Sequence, residues 1–214
     1  MHSIKFDNVL PQVFAHSENL QSDIWRNNAV FEKGKCYLLQ ADSGQGKSTF
    51  CSYVIGYRND YTGHIWFDGS DVAQYRQVDW VNVRKLHVSY LFQELRLFPE
   101  LTAMENVEIK NSLTKHKTRQ QLLEWFERLG IADKVNEKVE VMSFGQQQRV
   151  ALMRALAQPF DFILADEPIS HLDDNNALVM GEVMMEEVKA QGAGVIATSI
   201  GKHIPLQYDQ IFKL

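Results

Sequence analysis

The sequence predicts an α/β domain with a mostly parallel core sheet. Strand-length apolar runs alternate with stretches of helical spacing along the chain. Two of those runs, residues 160–165 and 195–198, are apolar without alternation, as strands buried on both faces are. A third, residues 36–40, ends in a glycine-containing loop that leads into a helix-compatible stretch at 49–57.

The remaining elements follow in order. Residues 3–9, 64–69 and 88–92 read as strands, and 211–214 as a last edge strand. From about 94 to 141 the pattern turns helical. Thr102-Ala-Met-Glu105 has the hydroxyl and carboxylate of a capping box. Residues 118–129 place Leu122, Phe126 and Leu129 on one face, with Gly130 as the stop. Met180, Met184 and Met185 are expected to fill core space.

Composition excludes several classes. The 214 residues suffice for a self-standing core, with 45% hydrophobic and 23% charged residues. Lys plus Arg (22) against Asp plus Glu (27) gives a net charge of −5, which argues against bulk electrostatic binding to nucleic acid. The longest apolar run is four residues, such as Phe162 to Ala165, too short to cross a bilayer, and no signal-peptide core follows Met1. Cys36 and Cys51 make no disulfide framework, so the expectation is a reduced, cytoplasmic protein with Cys51 a buried thiol.

Two motifs carry the chemistry. Ala41-Asp-Ser43-Gly44-Gln45-Gly46-Lys47-Ser48-Thr49 stands between strand and helix, where backbone N–H groups line up toward an anion. Gly44 and Gly46 let the backbone wrap a phosphate chain, Lys47 reaches the β- and γ-phosphates, and the Ser48 hydroxyl ligates Mg2+. Ala41 departs from the usual opening glycine. The second motif, Phe160-Asp-Phe-Ile-Leu-Ala-Asp166-Glu167-Pro168, ends a buried strand in two acids. Asp166 is expected in the Mg2+ shell, and Glu167 to orient or deprotonate the attacking water.

A third segment, Met142-Ser143-Phe144-Gly145-Gln146-Gln-Gln-Arg149-Val-Ala-Leu-Met-Arg154, resembles the signature motif of ABC-type ATPases. Physically, Ser143-x-x-Gln146 is a capping box at a helix N-terminus, a place suited to an anionic γ-phosphate. The resemblance covers essentially the whole chain. It implies a P-loop ABC ATPase fold in one domain, 1–214, with an N-terminal antiparallel β part. A catalytic core at about 1–93 and 160–214 would carry a helical subdomain at about 94–159. It implies ATP and Mg2+ as ligands, Ser143, Gly145 and Gln146 as contacts to an ATP held by a second copy, and a two-fold dimer.

Other positions match that family residue by residue. Gln93 resembles the glutamine that senses Mg2+, and residues 97–107 the region that docks a coupling helix of the membrane subunit. Asp173, in Ser170-His-Leu-Asp173, resembles the loop aspartate linking two active sites. Phe14 lies 33 residues before Lys47, about where an aromatic stacks on adenine. The wording Leu-Ala-Asp-Glu-Pro is most similar to the subgroup serving lipoprotein release, macrolide efflux and cell division. No further C-terminal domain is expected.

Two departures stand out. Ser199 occupies the place of the family's switch histidine, and Phe144 replaces the first signature glycine. His203 and His171 are expected to be ordinary exposed histidines. The resemblance implies the ATP-hydrolysing subunit of a transporter, peripheral on the cytoplasmic face of the inner membrane and coupled to transmembrane permease subunits. Ser199 and Phe144 favour the alternative, a catalytically weak ATP-gated dimer acting as a regulatory module. A DNA- or ribosome-directed ATPase is disfavoured by the chain length.

Overall fold

A computed structural model describes residues 1–17, 20–169, 173–201 and 203–214. The chain runs β1 (Ser3–Pro11), β2 (Asn28–Glu32), β3 (Cys36–Gln40), α1 (Lys47–Val54), β4 (Tyr61–Phe67) and β5 (Ser70–Asp71). It continues through α2 (Gln77–Asn82), β6 (Val88–Leu91), α3 (Ala103–Asn111), α4 (Arg119–Arg128) and α5 (Phe144–Leu156). It ends with β7 (Phe162–Asp166), α6 (Asp174–Gln191), β8 (Gly194–Ser199) and β9 (Gln210–Lys213).

Two sheets result. One is antiparallel, in the order β2-β1-β4-β5, and the other is parallel throughout, in the order β6-β7-β8-β3-β9. The period-2 alternation of strand side chains divides the hydrophobic interior. Tyr37 and Leu39 of β3, Phe162 and Leu164 of β7 and Ile196 of β8 face a core shared with α1 and the antiparallel sheet. Leu38, Ile163, Ala165, Val195 and Ala197 face the opposite core, shared with α3, α4, α5 and α6. Both faces are covered, which is why the central strands read as continuous apolar runs.

The observed elements depart from the sequence reading most in four places. The helix after the loop starts at Lys47 rather than 49, because Gly46 caps it in a left-handed conformation (φ 100). The strand expected at 64–69 runs Tyr61–Phe67, and Asp68 and Gly69 turn with φ 49 and 82. Strand β2, an edge of the antiparallel sheet, was not anticipated; its alternating burial depends on pairing with β1. Residues 94–102 form no helix. They are a loop gathered by the fully buried Asn106, whose amide donates to the carbonyls of Phe98 (3.0 Å) and Thr102 (3.0 Å) and accepts from the Phe98 N–H (2.8 Å).

The caps read from the sequence at Thr102 and Ser143 form, and Thr118 adds a third that was not anticipated. Thr102 and Glu105 close a reciprocal box on α3, Thr118 and Gln121 on α4, and Ser143 and Gln146 on α5. Met180 and Met184 are buried in α6, and both cysteines are free and buried. No helix among the described residues is long and apolar enough to cross a membrane.

Candidate nucleotide site

Ligand sites on parallel sheets lie at the carboxyl ends of the strands. Here four adjacent strands deliver side chains to one such edge. Gln93 follows β6, Asp166 and Glu167 end β7, Thr198 and Ser199 end β8, and the loop 41–46 follows β3. Register does the fine placement: Asp166 pairs with Thr198, and Gln40 with Ser199.

The loop is held open by glycine. Gly44 and Gly46 adopt φ 83 and 100, and a Cβ on Gly46 would lie 3.0 Å from the Phe14 ring and 3.2 Å from Trp25. The backbone N–H groups of Ser43, Gly44 and Gly46 have no partner among the described residues, so they are available to an anion. Lys47, buried at the first position of α1, donates through Nζ to the carbonyls of Ala41 (2.9 Å) and Asp42 (3.0 Å). The same amine lies 3.6 Å from Glu167 Oε1. The Gln45 side chain turns back to accept the Asp42 N–H at 3.1 Å.

Asp166 is 2% exposed and has no cationic partner among the described residues. Its carboxylate is surrounded instead by three hydroxyl donors: Thr198 to Oδ1 at 2.5 Å, Tyr90 to Oδ2 at 3.0 Å and Ser48 to Oδ2 at 3.3 Å. Burial, then the neighbouring Cys51 thiol and Asp166 carboxylate, pushes the Tyr90 phenol far above its usual range, so it remains a proton donor. A buried carboxylate among oxygen atoms, with no positive charge supplied by the protein, is a fitting place for a hard divalent cation. Among the described residues no three His, Cys, Asp or Glu side chains gather, which fits a metal completed by water and phosphate oxygens rather than a protein cage.

Glu167 has a left-handed backbone (φ 48), and its N–H donates to Thr198 Oγ1 at 3.1 Å. Its carboxylate accepts from Gln93 Nε2 at 3.1 Å. Phe14, Ser43, Gly44, Gly46, Lys47, Ser48, Thr49, Gln93 and Glu167 thus share one pocket of about 260 Å³. Phe14 flanks the loop, its ring centroid 6.5 Å from that of Trp25.

Other anticipated residues fall elsewhere. Ser199 is 1% exposed, and its hydroxyl accepts the Gly201 N–H at 2.9 Å. It is the neighbouring Ile200 that lines the pocket. Ser143, Gly145, Gln146 and Asp173 are not among the lining residues. Asp173 caps α6, accepting the Asn176 N–H at 2.9 Å, and that bond holds its carboxyl below the usual range. His203 is exposed. His171, with Ser170, lies outside the described residues.

Three residues at the site were not anticipated. Tyr90 and Thr198 reach Asp166 from the strands on either side of β7, a placement set by register. Arg58 lines the pocket and donates to Thr49 Oγ1 at 3.2 Å, held by Asp60. For Tyr90, its position on the strand leading to Gln93 was the available clue.

A parallel sheet with an anion-binding loop after one central strand and an acid pair at the end of another defines a P-loop nucleotide-binding domain. The model of the ABC transporter family matches residues 26–170, and the chain belongs to that family. It is 36% identical to an uncharacterized ABC transporter ATP-binding protein of Bacillus subtilis, YclH, over 75% of this chain and 70% of that protein. The lipoprotein-releasing system ATP-binding protein LolD of Paramagnetospirillum magneticum is 26% identical over 100% of this chain and 95% of its own length. Two mycobacterial relatives are longer, and the chain spans 56% of each. A dimeric ATP-binding cassette in a post-hydrolysis state, bound to ADP and phosphate, superposes with a TM-score of 0.77 at 26% identity, covering 92% of this chain and 87% of that one. The chain is accordingly an ATP-binding, ATP-hydrolysing domain of the ABC transporter type.

Proposed function

We propose that the chain hydrolyses ATP within a two-fold dimer and drives permease subunits from the cytoplasmic face of the inner membrane. The observation that carries this reading is the pocket itself: Lys47, Gln93 and Glu167 meet beside the loop amides, while the capped N-terminus of α5 lies outside it. A γ-phosphate seated at the loop would therefore reach Ser143, Gly145 and Gln146 only on a second copy. Asp173, at the cap of α6, is placed with them as a contact across the dimer.

In this scheme Phe14 stacks on the adenine, and Ser43 to Thr49 wrap the phosphates. Lys47 leaves the Ala41 and Asp42 carbonyls for the β- and γ-phosphate oxygens. Ser48 and Asp166 would hold Mg2+, with Gln93 close by; the metal supplies charge neutralisation on the phosphate oxygens. Glu167 orients a water in line with the γ-phosphorus and takes its proton as the new P–O bond forms. The bond to the bridging oxygen then breaks, leaving ADP and phosphate.

Ser199 gives the second reading its weight, since its hydroxyl is turned to Gly201 rather than into the pocket. Loss of one aligned catalytic group lowers the rate by roughly a hundredfold or more. ATPase rates of the wild type and of Ser199→His, each with its membrane partner, test this: slow wild-type turnover with at least about tenfold gain in the variant is expected. Vigorous wild-type turnover with no gain would exclude a catalytically weak module. Co-purification of a membrane protein tests the transporter assignment.

A further inference from the structure

In the nucleotide pocket Lys47 and Glu167 meet where the γ-phosphate is proposed to sit. Phe14, on which the base is proposed to stack, belongs to a single turn, Gln12–Phe14, that follows β1. A nucleotide laid between these two places carries its ribose and first phosphate across the wall between them. Thr49 and Arg58 line that pocket too, and neither has a part in the chemistry at Glu167. Around α1, Ser48 is turned to Asp166, whereas the next residue, Thr49, is bonded to Arg58.

The Arg58 guanidinium is held on three sides. Its Nε donates to Asp60 Oδ1 at 2.9 Å, and its Nη2 donates to Asp60 Oδ2. Its Nη1 donates to Thr49 Oγ1 at 3.2 Å, and the Tyr53 ring lies 5.7 Å away. Asp60 is fixed in turn: its carbonyl accepts the Gln12 N–H at 2.9 Å and the Tyr53 hydroxyl at 2.9 Å. The residue that anchors Arg58 is thereby tied to the turn that carries Phe14. A planar fork with Nε and Nη2 on one carboxylate leaves Nη1 a fixed direction.

Two donors are left over. Nη1 carries two hydrogens, and Thr49 is its one acceptor among the described residues. Thr49 Oγ1, having accepted from Nη1, keeps its own hydrogen to give, and that hydrogen has no acceptor among the described residues. An exposed Arg–Asp pair contributes little to stability by itself. The sideways bond to Thr49 adds nothing to that pair, but it brings both spare donors to the nucleotide pocket.

We propose that Arg58 holds the α-phosphate of the nucleotide: Nη1 donates to a non-bridging oxygen, and the Thr49 hydroxyl, oriented by Arg58, donates to the same phosphate. Guanidinium–phosphate hydrogen bonds are strong, and a fork already anchored loses little freedom in making one. Asp60 neutralises the guanidinium before the nucleotide arrives, so the direction of the donor selects the phosphate rather than a bare positive charge. Arg58 therefore serves ATP and ADP alike and fixes the point where the phosphate chain meets the sugar. The inference rests on the reading that the base stacks on Phe14 and the phosphates lie along the loop.

The test is calorimetric binding to the full chain without divalent cation. The ligands are ADP and its two α-phosphorothioate diastereomers, in which sulfur replaces one or the other non-bridging oxygen of the α-phosphorus. The wild type should prefer one diastereomer about fivefold or more, because sulfur is the weaker acceptor. Arg58→Gln should weaken ADP binding about tenfold and erase that preference. Thermal unfolding confirms that the variant is folded; should it not be, Arg58→Lys decides by the same readout, since an ammonium cannot hold Asp60 and the phosphate in one plane. No preference in the wild type, or a preference that survives the loss of Arg58, would overturn the proposal. So would an effect of Arg58 that disappears with 2′-deoxy-ADP, which would place the guanidinium on the ribose. Phe14→Ala separates this inference from the reading beneath it. ADP affinity unmoved in Phe14→Ala would remove the base from that ring, and a diastereomer preference dependent on Arg58 would still uphold the phosphate contact. A weakened Phe14→Ala beside a silent Arg58→Gln would keep the seating and overturn the role of Arg58.

Discussion

The N-termini of α1 and α5 both begin beside glycine and polar side chains, yet the chain builds them in opposite ways. At α1 the cap is Gly46, no side chain accepts from the first turn, and the N–H groups of Ser43, Gly44 and Gly46 have no partner among the described residues. At α5, Ser143 and Gln146 satisfy each other's backbone, at 2.9 and 3.4 Å, and Phe144 stands 45% exposed. The difference teaches which half of the site one chain can make. Withheld caps leave α1 with donors for a phosphate chain, and neighbouring strands supply Glu167 and Gln93. The α5 terminus is already self-capped and lies outside the pocket, which supports the proposal that its dipole and Gly145 act on an anion delivered by a second copy.

The largest effect should come from the α1 side. Glu167→Gln removes the proposed base beside Lys47 and is expected to lower hydrolysis by about 10²–10⁴-fold while ATP binding persists, so that the dimer should accumulate with ATP in size-exclusion chromatography. Unchanged turnover would remove Glu167 from the reaction. Gly145→Arg should separate the two termini most sharply. Nucleotide affinity of the monomer should stay within about twofold, while hydrolysis falls roughly 10²-fold because a cation now crowds the positive end of α5. Equal loss of both would mean that the α5 terminus serves its own chain's nucleotide.

A smaller change is expected from Tyr90→Phe, which deletes one of three hydroxyl donors to Asp166. A hydrogen bond to a charged group contributes about 1.5–3 kcal/mol, so Mg2+-dependent hydrolysis should fall about tenfold or somewhat more. Nucleotide binding without divalent cation should be unaffected; its loss would make Tyr90 a folding residue. The smallest effect belongs to the α5 cap. Ser143→Ala should cost about 1 kcal/mol of stability, a fall in Tm of about 2–4 °C in thermal unfolding. A Tm unchanged within 1 °C, on the order of the smallest resolvable shift, would show that Gln146 alone sustains the cap.

Legibility followed the range of the interactions involved. The loop 41–49 was readable because Gly44, Gly46, Lys47 and Ser48 act through adjacent backbone, and the boxes at Thr102 and Ser143 because their partners are three residues away. Thr198 and Tyr90 were missed because each meets Asp166 across a strand pair, 32 and 76 residues distant. The loop 94–102 was misread as helical for a different reason: Asn106, a buried side chain, binds the loop's backbone in place of helical hydrogen bonds.

By itself the sequence determined the α/β class, the phosphate loop, the acid pair and the capped signature helix, because local spacing and short-range hydrogen bonding encode each of them. The tertiary structure alone decided that Asp166 would lie in a cage of hydroxyls, that Ser199 would turn to Gly201, and that four cations scattered between Arg84 and Arg154 would meet in one acid-free groove. Those outcomes depend on which strands are neighbours and in what register, and strand pairing brings together residues that no sequence window contains.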